Sequence, residues 1–480
     1  MLLVVDIGTS AFKSALFSFG GEQLSTAAVV LSFTSHGGRH EAEPDQWLRA
    51  FGECCRRLGP LGDVAALVIS GNGPSLVPVT GEPAGRAGAL RLKAAPARLW
   101  LDRQAVEEAA AVSALMGDFV DPGFFLPKAL GIKNREPELY EKIRVFLSCP
   151  EYLACALTGE ARTVFPAEGF DRWYWNGDVL EKLGLDRGKF PPFIKPGDTI
   201  GPLLPAAANF LGVPKSVPVI AGGPDFFAAI LGSGAVRPGD ACDRSGSSEG
   251  INVCTTERIA EPRLMSYGHP VQPWWNLSGI ISTTGKAIDR VMALLGIAAG
   301  AYGEFFALAE HAVPGAGGLL FLPYLAGERA PIWDPKARGV FSGLGLDTGR
   351  AELARAAAEG ICFAIQDVIA VMEAAEAPVR NLRVSGGPAA SGFLNQLKAD
   401  ISGRETLSPE IQDAELLGNA CTGAAALGKY GSAGEAAAAL VKIRQVYHPD
   451  KKKTGLYEEL FIRYRELYVS LKGQFSRFSP

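Results

Sequence analysis

Four polar turns hold the residues of this 480-residue chain whose types and spacing could do chemistry. The first, Asp6-Ile7-Gly8-Thr9-Ser10, cuts short the apolar run 2–5 and is followed by a second apolar run at 15–17. Gly8 lets the backbone come close to a ligand. Thr9, Ser10 and the turn's N–H groups can surround phosphate oxygens, and Asp6 can face a hydrated metal ion. Lys13 either returns to such phosphates or is a solvated strand lysine. The whole stretch also reads as a hairpin with a polar tip. In the second turn, Asp225 follows Gly222-Gly223-Pro224 at the end of an apolar run. That place suits a general base for a hydroxyl, and it equally suits a helix N-cap. The third turn, Arg244-Ser245-Gly246-Ser247-Ser248, can be laid over residues 6–10. The fourth, Ser385-Gly386-Gly387-Pro388-Ala389-Ala390-Ser391, is either a plain strand-to-helix connection or a place where a flat ring or phosphate lies on bare backbone. Phosphoryl transfer needs mainly positioning, charge neutralisation and a proton acceptor, and these turns carry groups of those kinds.

The elements around the turns follow from periodicity. Strand-like runs at 64–70, 217–221, 318–323 and 382–385 alternate with helical ones, the longest at 351–375, which predicts an α/β architecture. A strand–turn–strand near the start of each half suggests two related domains, and the punctuation VRPGD at 236–240 marks the boundary between 1–236 and 237–480. Two motif matches fail on context. Gly246-Ser247-Ser248-Glu249-Gly250 has the form of a nucleophile elbow, but the β-prone INVCTT that follows predicts a hairpin rather than the required helix. Thr284-Gly285-Lys286 lacks the Ser or Thr and the glycine spacing of a P-loop.

Composition narrows the field. The formal net charge is −4, with no basic stripe, so nucleic acid is not an expected partner. The only compact basic run, 451–453, reads as a solvated loop. No apolar run reaches the ~18 residues of a membrane span, and the N-terminal run reads as a strand rather than a signal peptide. Eight dispersed cysteines predict reduced, buried thiols and a cytoplasmic location.

Taken together, DIGTSAFKSALF (6–17), WLDRQ (100–104), GGPDFFAAILGSGAVRPGD (222–240), SGSSEGINV (245–253), LPYLAGERAPIWDPKARGVFSGL (322–344), SGGPAASGFLNQLKADISG (385–403) and ELLGNACTGAAALGKYG (415–431) resemble the FGGY carbohydrate kinases of the actin-like ATPase superfamily. The resemblance implies two actin-like, ribonuclease H-like α/β domains around a central interdomain cleft, with ATP and Mg²⁺ as cofactors and a small sugar or polyol as substrate. The sugar would lie mainly on the N-terminal domain. Position by position, it puts Asp6 near the metal and Gly8, Thr9, Ser10 and Lys13 at the phosphates. It makes Asp225 the base that deprotonates the sugar hydroxyl. It places Gly246, Ser247, Thr284, Gly285, Gly386, Gly387 and Ser391 along the nucleotide, and Asn72, Trp100, Asp102 and Arg103 on the sugar side. The chain departs from the pattern at Phe226, where Gln is common, at Pro388, and at Gly71-Asn72-Gly73-Pro74, which has neither the Met-His pair of xylulose kinases nor the Arg-Glu pair of glycerol kinases. A ketopentose such as xylulose is the expected acceptor. The alternatives are another substrate of the family (glycerol, ribulose, a deoxyhexulose or an aldonate) or a catalytically silent binding relative. A homodimer is compatible with the resemblance.

Overall fold

The computed structural model describes residues 1–82, 90 and 92–477, and they divide into two compact units. The first comprises Met1–Gly232 and Glu415–Leu440, the second Ser233–Ala414 and Val441–Pro480. The chain thus parts at 232/233, four residues before the expected boundary, and a late segment returns to the first unit.

The first unit is built on a six-stranded sheet. Its strands are β1 (Leu2–Ile7), β2 (Ala11–Phe17), β3 (Gln23–Val30), β4 (Ala66–Gly71), β5 (Thr199–Pro202) and β6 (Pro218–Pro224), in the order β5–β6–β4–β1–β2–β3. β1, β4 and β6 are parallel neighbours, and β2, β3 and β5 are antiparallel to theirs. All six residues of β1 and of β4 are buried, as the unbroken apolar runs of inner parallel strands require, whereas the edge strand β3 has only one buried residue, Ala27. Helices α1 (Asp45–Leu58), α2 (Phe125–Arg135), α3 (Cys149–Thr158) and α4 (Asp225–Ser233) belong to this part of the chain. A return helix, Ala414–Ala426, lies against α4 and the sheet. Its small residues permit this. A Cβ on Gly418 would run into the Ala228 carbonyl oxygen, and one on Gly423 would meet Val68 at 2.6 Å.

The second unit repeats the scheme. Strands β7 (Asp240–Ser245), β8 (Glu249–Thr255), β9 (Met265–Gly268), β10 (Trp275–Ile281), β11 (Asn381–Ser385), β12 (Glu405–Pro409) and β13 (Ile443–Tyr447) lie in the order β9–β10–β8–β7–β11–β12–β13. Again a hairpin, β7–β8, opens the sheet, and the hairpin's first strand pairs in parallel with a later strand, β11. Helices α5 (Gly285–Leu294), α6 (Arg350–Ala374) and α7 (Gly392–Ser402) pack in this unit. α6 spans the run expected at 351–375 and is buried on most of its surface, as a central helix must be. The Lys451–Lys453 run is no loop. It opens helix α8 (Lys451–Phe475), because Asp450 caps the Lys452 N–H and Lys453 pairs with Asp400 at 3.0 Å. The eight cysteines are all buried and form no disulfide, and no helix among the described residues is long and apolar enough to cross a membrane.

Candidate active site

In the first unit, register brings the candidates to one end of the sheet. Asp6 pairs with Ser70, Ile7 with Gly71, and Gly223 and Pro224 with the same two residues from the other side. The carboxylates of Asp6 and Asp225 therefore leave the ends of β1 and β6, which flank β4, and Asn72 leaves β4 itself. This is where ligands sit in parallel α/β sheets. Asp6 is buried, its Oδ1 accepts the Ser70 hydroxyl at 2.8 Å, and Lys13 stands directly opposite it in the β1–β2 ladder. A Gly8 N–H bond to the Ala11 carbonyl, 2.9 Å, closes the turn, leaving Ser10 exposed. Asp225 is the half-buried first residue of α4, and its Oδ1 accepts the Phe226 N–H at 2.7 Å. Burial, and then the fields of Asp225 and Asp6, hold the nearby Cys149 thiol well above its ordinary range.

The sugar-side candidates divide by what their side chains do. Asn72 staples two strand ends. Its Nδ2 donates to the Ile7 carbonyl at 3.0 Å, and its Oδ1 accepts the Ser75 hydroxyl at 2.6 Å. Asp102 is buried and accepts the main-chain N–H groups of His40 and Gln104, both at 3.2 Å. Arg103 is exposed and pairs with Asp121 at 2.5 Å. Half-buried Trp100 donates its indole N–H to Thr9 Oγ1 at 2.9 Å, which joins the sugar-side segment to the first polar turn. Beneath them lies Lys128, which sequence reasoning missed. Its ammonium donates to the carbonyls of Leu99 at 2.6 Å and Pro74 at 2.9 Å, tying the loop after β4 to the Trp100 segment. Burial brings Lys128 down to about 7, while Asp102 and Asp121 pull the other way. Phe226 stacks on Phe170 with ring centroids 6.0 Å apart, so the departure from Gln places an aromatic ring next to Asp225.

In the second unit, three candidate stretches interlock. Arg244 pairs with Ser385, so the turns that follow β7 and β11 leave side by side. The hairpin after Ser245 turns into β8 rather than a helix, which bears out rejection of the nucleophile elbow. Gly246 and Ser247 are exposed at its tip. The N–H groups of Gly285 and Thr284 donate to the carbonyls of Gly246 (3.1 Å) and Ser247 (3.2 Å). A Cβ on Gly285 would run into the Gly246 carbonyl oxygen, and one on Gly386 into that of Ser245, so both close approaches require glycine. Exposed Gly387 follows, and Ser391 caps α7 by accepting the Leu394 N–H at 3.2 Å.

Two buried groups of this unit lie in stretches that carry the family resemblance but were given no role from the sequence. Lys398 of α7 reaches Asp243 and Glu249, each at 2.6 Å, and Ser245 at 3.2 Å, clamping the hairpin root from the helix that follows the 385–391 turn. Burial and the Glu249 charge push Asp243 up; burial opposes ionisation of Glu249 as well, but Lys398 holds it low. The cluster sets one ammonium between two buried carboxyl groups. Glu328 accepts the N–H groups of Ser282 (2.6 Å) and Arg329 (2.7 Å), and burial pushes it up to about 7.

Comparison with known proteins decides what this arrangement belongs to. The profile of the FGGY family of carbohydrate kinases, N-terminal domain, matches residues 1–232, and that of the C-terminal domain matches 244–427. The chain belongs to the FGGY family of carbohydrate kinases. It is a carbohydrate kinase, an enzyme that moves a phosphoryl group from ATP to a carbohydrate hydroxyl. This FGGY kinase is 30% identical to the xylulose kinase of Escherichia coli (strain K12) over 427 residues, 84% of this chain and 85% of that one. Its fold matches the ligand-bound xylulose kinase from Lactobacillus acidophilus with a TM-score of 0.86 at 23% identity, covering all of both chains. The gluconate kinase from the same organism matches equally, TM-score 0.86 at 24% identity, over 100% of this chain and 99% of that one.

Proposed function

We propose that this FGGY kinase phosphorylates a ketopentose, with xylulose as the acceptor. The observation that carries the reading is the likeness to a xylulose kinase over five-sixths of the chain, joined to an acidic residue at the end of β6. Asp225 takes the proton of the attacking hydroxyl as its oxygen bonds to the γ-phosphorus. The bond from that phosphorus to the bridging oxygen breaks, and ADP leaves. Thr9, Ser10, Lys13, Gly246 and Ser247 contact the phosphates; Thr284, Gly285, Gly386, Gly387 and Ser391 shape the rest of the nucleotide site. Trp100 and Arg103 face the sugar, and Asn72 and Asp102 hold the frame behind them.

Asp6 is the residue that fits Mg²⁺. A buried carboxylate beside a glycine turn suits an ion that arrives on ATP with its water shell. The ion supplies charge neutralisation on the phosphates. A cytoplasmic location completes the reading, and a homodimer is compatible with it.

ADP release is to be followed with ketopentoses, polyols, deoxyhexuloses and aldonates. Xylulose should give the highest kcat/KM. A higher value on an aldonate or polyol would reassign the substrate, and no turnover on any would favour a silent relative.

A further inference from the structure

Asn419 is fully buried on the return helix and belongs to none of the polar turns. Its Nδ2 lies 2.9 Å from the Val5 carbonyl oxygen and 2.7 Å from Ser70 Oγ. A main-chain carbonyl only accepts, so the atom facing Val5 is the amide nitrogen, and its second N–H falls on Ser70. The Ser70 hydroxyl, already accepting from Asn419, has a single proton. Ser70 Oγ lies 2.8 Å from Asp6 Oδ1, against 3.4 Å from the Val5 carbonyl oxygen, so the proton goes to the carboxylate. The polarity of the chain of bonds is therefore settled by chemistry: amide to hydroxyl to carboxylate.

The amide oxygen sharpens the point. Asn419 Oδ1 is buried with no hydrogen-bond partner among the described residues, and a Cβ on Gly222 would come within 2.5 Å of it. A side chain kept only to fill space would be apolar here, since an orphaned buried acceptor destabilises the fold. The cost is offset by what the NH₂ end does. We infer that Asn419, acting through Ser70, is a positioning residue that orients the Asp6 carboxylate, and that the return of Glu415–Leu440 to the first unit supplies it. The inference rests on the proposed role of Asp6 toward the metal of Mg·ATP.

The test uses the full-length enzyme with Mn²⁺ and ADP as probe, bound Mn²⁺ being read by EPR alongside thermal unfolding. Asp6→Asn should weaken Mn²⁺ uptake with ADP at least tenfold. Ser70→Ala and Asn419→Leu should each weaken it about 3–10-fold while leaving KM for the sugar within twofold. The double variant should be no worse than the weaker single, because both cut one chain of bonds. Ser70→Ala removes a single oxygen atom and can overturn the inference whether or not Asn419→Leu folds, and Asn419→Leu binding like wild type would overturn it for Asn419. If Asp6→Asn weakens uptake but Ser70→Ala binds like wild type, the positioning role is wrong. If Asp6→Asn itself binds like wild type, the metal-side role of Asp6 falls, and the positioning role falls with it.

Discussion

Glu328 accepts two main-chain N–H groups, yet burial pushes its carboxyl up to about 7 from an ordinary 4.5. The folded protein then binds a proton that the unfolded chain has already lost between pH 4.5 and 7. Stability contributed by this group is complete below pH 4.5 and is lost as pH rises through 7, by up to about 3 kcal/mol. Glu328→Gln keeps the acceptor oxygen and does not titrate, so urea midpoints measured from pH 4.5 to 7.5 should flatten relative to wild type. An unchanged pH slope would rule the assignment out. Asp225 is judged by a different measurement. Asp225→Asn should lower turnover by about 10²–10⁴-fold, the usual worth of a positioned base, while calorimetry finds ATP binding nearly intact. Full activity in that variant would leave Asp225 with only a capping role. At this scale the sequence separated residue types well but not their employment. Asn72 and Asp102 were placed on the sugar side by resemblance, and the fold adds that their polar atoms also hold main-chain and neighbouring groups.

Elements were legible wherever the pattern was local. The runs at 64–70, 217–221, 318–323 and 382–385 became strands Ala66–Gly71, Pro218–Pro224, Leu320–Leu322 and Asn381–Ser385, because period and turn residues are written in neighbouring positions. The 451–453 run misled, since three lysines say nothing about Asp450 capping a helix start or about Asp400, some fifty residues away, pairing with one of them. The return helix shows packing that only small residues allow. Gly418 lies so close to the Ala228 carbonyl that Gly418→Val must push the helix off α4. Its stability should fall by about 1–3 kcal/mol or more, read as a lower denaturant midpoint. A midpoint equal to wild type would mean that the helix does not rest there.

For the whole molecule, the two units share a strand order that begins with a hairpin and continues into parallel neighbours. The short likeness of residues 6–10 to 244–248 was the trace of this repeat in the sequence, and the turns it marks lie at corresponding places, after β1 and after β7. Cutting the chain at a single mid-chain boundary could not anticipate that Glu415–Leu440 belongs with the first unit. Contact, not order along the chain, defines a unit, and nothing in the composition of that segment announces which sheet it covers.

The sequence by itself determined the α/β class, the four polar turns and the family, since each depends on residue types at short, regular spacing. Only the tertiary structure decided which polar atoms bond to one another within the fold, and it added Lys128, Lys398, Ser70 and Asn419 to the account. The physical reason is that a hydrogen bond between residues 349 positions apart, such as that of Asn419 to Ser70, leaves no periodic mark on either segment.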